Sequence, residues 1–67
     1  MMEIILNGTR HQVAKQQSIA QLVAAMELSH QAIAIAVNRN IIARHNWEQY
    51  QLQANDQVDV VHAIGGG

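Results

Sequence analysis

The side chains that could do chemistry in this 67-residue sequence are four histidines, two serines and five carboxylates. His11, His30, His45 and His62 stand 19, 15 and 17 residues apart. No pair has the i, i+4 spacing that sets two imidazoles on one helix face, and there is no cysteine to complete a zinc site. They are expected to be four unrelated histidines that hold no metal. His62 alone lies close enough to the C-terminus to stand beside a partner's active site. Ser18 and Ser29 lack the glycine-flanked elbow that exposes a nucleophilic serine. Glu3, Glu27, Glu48, Asp56 and Asp59 form no recognisable acid–base pair. Without cysteine, disulfides and thiol catalysis by the chain itself are excluded.

The remaining candidate is backbone, not side chain. Gly65, Gly66 and Gly67 close a sequence that otherwise has one glycine, Gly8, and no proline. A frayed end or a cloning scar would also be glycine-rich, but a scar usually mixes in serine or tag residues. Glycine lacks a Cβ, so such a tail can thread a channel that side chains would block. At its tip the α-carboxylate of Gly67 is unhindered. A carboxylate is a poor electrophile until it is transferred to AMP, after which a nucleophile can displace the adenylate. On this reading Gly67 reacts, and Gly65 and Gly66 carry it into a partner's active site. The chain is then a macromolecular substrate, not an enzyme.

Something must hold that tail. Sixty-seven residues make one small domain, too thin to enclose a ligand pocket of about 300 Å³ or more. The hydrophobic fraction of 49% with 13% charged residues is globular. A net charge of −1 gives no basic stripe for nucleic acid. No apolar run approaches the roughly 20 residues that span a bilayer, and the start is not a signal peptide. No nucleic acid or membrane partner is expected, and a cytoplasmic location is. The domain is expected over 1–63, with Ile64-Gly65-Gly66-Gly67 as a flexible tail.

Asn7-Gly8 between two β-branched runs is a hairpin signal, because a type I′ turn needs positive φ at both central positions. Strands are predicted at 2–6 and 9–13. Ser18 with Gln21 three residues later has the capping-box spacing. Ile19, Leu22, Val23 and Met26 follow as one apolar stripe, so a helix is predicted from Ser18 to about Leu28. Ile33 to Asn38 reads as a strand and Asn38-Arg39-Asn40 as a turn. Ile41-Ile42 reads as a short strand, and Asn46 as the cap of one turn through Tyr50. Leu52 is a lone buried position. Gln57 to His62 is the last strand, placed beside the first. The order predicts an α+β roll: a mixed sheet of four to five strands with one main helix on one face. This is the β-grasp, or ubiquitin-like, arrangement.

If Ile4, Leu6, Ile35, Val37, Val58 and Val60 face the helix, period-2 alternation turns Ile5, Ala34, Ala36 and Val61 outward. That small apolar face is a candidate docking surface for another protein.

Taken together, these residues resemble the ThiS family of sulfur-carrier proteins. The likeness runs through Met2-Glu3-Ile4-Ile5-Leu6-Asn7-Gly8, the helix capped by Ser18, and Ile35-Ala36-Val37-Asn38. It continues through Arg44-x-x-Trp47, Asn55-Asp56 and the glycine ending. Ala43 departs from the proline usual before that arginine, which should loosen the turn. Gly65 stands where relatives often have alanine. The resemblance implies a carrier of the thiamin thiazole pathway that binds no cofactor itself. An E1-type adenylyltransferase resembling ThiF would use ATP and magnesium to adenylate Gly67. A cysteine-desulfurase persulfide relay would convert the adenylate to a thiocarboxylate, and thiazole synthase, ThiG, would take the sulfur. The double glycine is shared with the molybdopterin-synthase small subunit and with ubiquitin. A sister sulfur carrier and a protein modifier are therefore the alternatives.

Overall fold

The computed structural model describes residues 1–62, so Gly65, Gly66 and Gly67, with the expected boundary at 63 and the tail over 64–67, lie outside the described residues. The first hairpin forms as its turn residues require. Strands β1 (Met2–Leu6) and β2 (Thr9–Val13) pair antiparallel, with Leu6 opposite Thr9. Asn7 at φ 49° and Gly8 at φ 82° make the turn, both in the left-handed region that matches strand twist.

Helix α1 (Ile19–Ala25) starts where the capping box sets it. The Gln21 N–H donates to Ser18 Oγ (3.1 Å), and the Ser18 N–H donates to Gln21 Oε1 (2.9 Å). The helix stops sooner than predicted, with Met26 as its cap and not at Leu28. Glu27 adopts φ 60°. Its N–H donates to the Ala24 carbonyl, and the Leu28 N–H donates to the Val23 carbonyl (both 3.0 Å). This is a Schellman ending, usually marked by glycine. A glutamate fills the left-handed position here, so the sequence carries no visible stop.

Strands β3 (Ile33–Val37) and β4 (Asn40–Ile42) form a second hairpin, turned by Asn38 (φ 51°) and Arg39 (φ 71°). A 3₁₀ turn follows at Arg44–Asn46, with Ala43 as its cap. Asn46 is thus inside a turn, not the side-chain cap expected of it. Its carbonyl accepts from the N–H groups of Gln49 and Tyr50. The turn drives Trp47 inward to 4% exposure, where its indole N–H donates to the Ile42 carbonyl (2.9 Å). The Arg44 guanidinium lies 4.4 Å above the indole ring and covers it.

Strand β5 (Gln57–His62) completes a five-stranded sheet in the order β2-β1-β5-β3-β4. β5 runs parallel to β1 and antiparallel to β3. The single helix covers one face. Ile4, Ile19, Leu22, Ile35, Val37, Leu52 and Val58 are fully buried between the two layers. Burying each such side chain is worth about 1.5–3 kcal/mol, most of what a domain this small has to set against chain entropy. This is the β-grasp arrangement that the element order predicts. Among the described residues, no helix is long and apolar enough to cross a membrane.

Candidate functional site

The uncovered face of the sheet follows from alternation. Ile4, Ile35, Val37 and Val58 point to the helix, so their neighbours point away. Pairing then decides which of those neighbours meet. Ala34 stands opposite Val61, and Ala36 stands between Asp59 on β5 and Ile41 on β4. Val61 is 60% exposed and Ile41 72%, unusual for side chains of this size. The two alanines between them leave a flat strip. Asp59 is the one charged residue on this part of the face, since Ala34, Ala36, Ile41 and Val61 carry none.

Of the four residues expected to form the docking face, the structure brings three together. Ala34, Ala36 and Val61 share the β5-β3-β4 half. Ile5 lies in the other half, opposite Gln57 and Arg10, and is half-buried. Its neighbours are polar. Arg10 Nη1 donates to Glu3 Oε1 at 2.8 Å across the β1–β2 pair. Ile41 is the residue that sequence reasoning missed. Its own segment, Ile41-Ile42, gives no alternation to read, and only the pairing with Ala36 places it on the outer strip.

Asn7 and Asn38, the leading residues of the two turns, both reach across to β5. Asn7 Oδ1 accepts from the Val60 N–H (2.8 Å). Asn38 Oδ1 accepts from the Gln57 N–H (3.0 Å), and Asn38 Nδ2 donates to Asp56 Oδ1 (3.1 Å). The other oxygen of Asp56, a residue only 9% exposed, accepts from the Gln53 N–H (2.8 Å). Asp56 is thereby consumed in holding β5 at its entry. At the far end of β5, His62 Nε2 lies 2.9 Å from Gln31 Oε1, so the residue nearest the tail is tied to the segment before β3. Asn7, Asn38 and Asp56 had no site role in the sequence reading. Asn at a turn was the available signal, but the partner 18 to 53 residues away was not.

Among the described residues, no three His, Asp or Glu side chains converge as a metal site would need. A groove of about 500 Å³ runs beside Ile41, lined by Ile42, Ala43, Asn46, Gln49 and Tyr50, and it is open to solvent. The described residues thus offer a rigid frame with a flat apolar strip and a pinned end to β5. Gly65, Gly66 and Gly67, to which the chemistry was assigned, lie beyond His62 and outside them.

Comparison with known proteins bears on what such a frame is for. The ThiS family profile matches residues 4–67. The Escherichia coli sulfur carrier protein ThiS is 30% identical over 66 residues, which cover 98% of this chain and 100% of that one. A thiazole synthase from Magnetococcus marinus is 32% identical over 66 residues, covering 98% of this chain but 20% of that protein. The chain therefore spans about a fifth of the length of that relative. The crystal structure of ThiS from Geobacter metallireducens superposes with a TM-score of 0.86 at 20% identity, covering 98% of this chain and 100% of that one, and shows the same fold.

Proposed function

The chain belongs to the ThiS family, and from that premise we propose that it is a sulfur carrier of thiamin thiazole synthesis, with Gly67 as the residue that carries the sulfur. The observation that supports this most directly is the extent of the family match, which continues through the glycines to residue 67. A purely structural likeness would need only the sheet and the helix.

The chemistry runs through the carboxylate of Gly67. In the site of an E1-type adenylyltransferase, which supplies ATP and magnesium, a carboxylate oxygen attacks the α-phosphorus of ATP and pyrophosphate leaves. The acyl carbon is now an electrophile with AMP as leaving group. A persulfide sulfur from the cysteine-desulfurase relay displaces AMP. A thiol then attacks the relay cysteine's sulfur in that acyl disulfide, forms a new disulfide with it and releases the outer sulfur as a thiocarboxylate on Gly67. Thiazole synthase takes the sulfur from there. A protein of that name contains a region similar to this chain, which supports thiazole synthase as the acceptor. This chain supplies no acid, base or metal to any step. It supplies a carboxylate, two further residues without Cβ atoms to bring it in (Gly65 and Gly66), and a frame for partners to hold. The strip of Ala34, Ala36, Ile41 and Val61 is the face by which they hold it, with Ile5 at its margin.

Intact-mass measurement tests this reading. The chain is incubated with the adenylyltransferase, ATP, magnesium and a sulfur donor. The expected result is a mass gain equal to exchange of one oxygen for sulfur, absent when Gly67 is deleted. Gly66→Ala should keep the fold and charge at least tenfold more slowly, since a methyl group must now pass a channel shaped for none. No gain with active enzyme rules out the carrier reading. Equal rates for Gly66→Ala and wild type remove the threading role.

A further inference from the structure

The parallel pairing of β1 with β5 follows a repeat that stops one step short. The Ile5 N–H donates to the Asp56 carbonyl (2.8 Å), and the Asn7 N–H donates to the Val58 carbonyl (2.9 Å). Asn7 then uses its side chain where a strand would use its backbone, Oδ1 accepting from the Val60 N–H. In a parallel ladder every second residue of one strand donates to the carbonyl before its opposite number and accepts from the N–H after it. The next step therefore calls for one residue that donates to the Val60 carbonyl and accepts from the His62 N–H. β1 has ended at Leu6, and the chain turns away through Gly8 into β2. Among the described residues, none of β1 or β2 stands there.

Among the described residues this leaves Val60–His62 as a free strand edge inside the sheet order, at the tip of the first hairpin. It differs from the two outer edges. β2 presents Thr9, Arg10, His11 and Gln12, all exposed and polar or charged, and β4 is three residues long. Both are the kind of edge that discourages pairing. The β5 edge is as short as β4, but over Val60 and Val61 it lacks the polar row of β2. It is flanked by Val60, packed on the core, and Val61, exposed on the outer strip. It also ends at His62, five residues before Gly67.

We infer that this edge receives an extended backbone segment of the adenylating enzyme, which adds as a short strand parallel to β5. One residue of that segment donates its N–H to the Val60 carbonyl, and its carbonyl accepts from the His62 N–H. The occupant is named by position, because the edge ends at His62, five residues before the Gly67 that the enzyme must reach. Backbone pairing of this type gives affinity without reading side chains. The inference rests on the carrier reading for the identity of the partner.

Two measurements test it. Amide hydrogen exchange is followed on the full chain mixed with a ThiF-type adenylyltransferase, without ATP. The His62 N–H should exchange at least tenfold more slowly in the complex, while the Gln12 N–H, on the outer edge of β2, should not change. Separately, the chain is synthesised with an ester in place of the His62 amide, removing the donor and little else. Its half-saturating concentration for charging should rise roughly three- to tenfold, the range expected for one net hydrogen bond. An ester at Gln12 should leave it unchanged. An unprotected His62 amide in the saturated complex, or an unaffected ester chain, overturns the edge. Protection with no mass gain on adding ATP and sulfur donor would instead overturn the carrier reading and leave the edge standing.

Discussion

The two halves of the sheet use the same plan to different ends. On each side of β5 lies a hairpin closed by a two-residue turn, and each turn begins with an asparagine at positive φ whose side chain reaches β5. In the β1–β2 half the outer face surrounds the half-buried Ile5 with polar residues and the Glu3–Arg10 pair. In the β3–β4 half it is left as alanine with Ile41 and Val61 exposed. Nothing in packing rewards that exposure, because the core lies on the other side. The difference separates what the fold needs from what a partner needs. Both halves contribute to the core, and only one carries a face that the core does not explain.

Five substitutions would break or sharpen that comparison. The largest effect is expected at the turns. Asn38→Gly, which keeps the turn geometry open, should cost about 2–3 kcal/mol in urea unfolding, because it deserts the nearly buried Asp56 carboxylate as well as the Gln57 N–H. Asn7→Gly should cost about 0.5–1.5 kcal/mol, for one lost acceptor. Equal costs would mean that the two turns are interchangeable after all. Next comes Val61→Asp, which should raise the half-saturating concentration for charging about tenfold, equivalent to about 1.4 kcal/mol. Its stability should stay within about 0.5 kcal/mol of wild type. If charging is untouched, the apolar half is ordinary surface. Ala43→Pro should stabilise the chain by about 0.4–1 kcal/mol, read as a higher unfolding midpoint. Ala43 already sits at φ −62° and ψ 143°, and its N–H points away from β3, alternating with that of Ile42. A loss of stability would show that the β4 connection resists the ring. The smallest effect belongs to Arg10→Gln, under about 0.5 kcal/mol and vanishing at high salt, with charging unchanged.

What could be read in the sequence was what is local. The Asn7-Gly8 turn, the Ser18 box and the apolar stripe of α1 each specify themselves within about seven residues, and all three stand. Where local signals were absent, the reading failed in identifiable ways. Glu27 ends the helix in a conformation that glycine would have announced. Trp47 is drawn inward by a 3₁₀ turn that starts at Ala43, so Asn46 never becomes a cap. The outer strip was partly visible, because alternation fixes the facing of Ala34, Ala36 and Val61. Which of them touch depends on register between strands more than 20 residues apart, and that separated Ile5 from the rest, whereas Ile41 enters by pairing with Ala36 in a segment that has no alternation to read. The role of Asp56 in anchoring β5 was out of reach for the same reason.

The strand order has one more consequence, for the moment of synthesis. β5 is the last strand of the described residues to be made, yet it lies at the centre of the sheet, between β1 and β3. Until Gln57–His62 exist, the two hairpins have nothing to join them, and an isolated hairpin is marginal in water. Folding must therefore wait until β5 has been made, not follow the order in which the strands emerge. A chain cut short before β5 cannot display the assembled strip of Ala34, Ala36, Ile41 and Val61. A partner that recognises that strip meets only molecules in which synthesis has reached His62. The fold itself thus acts as a check that a chain is complete through the root of its tail.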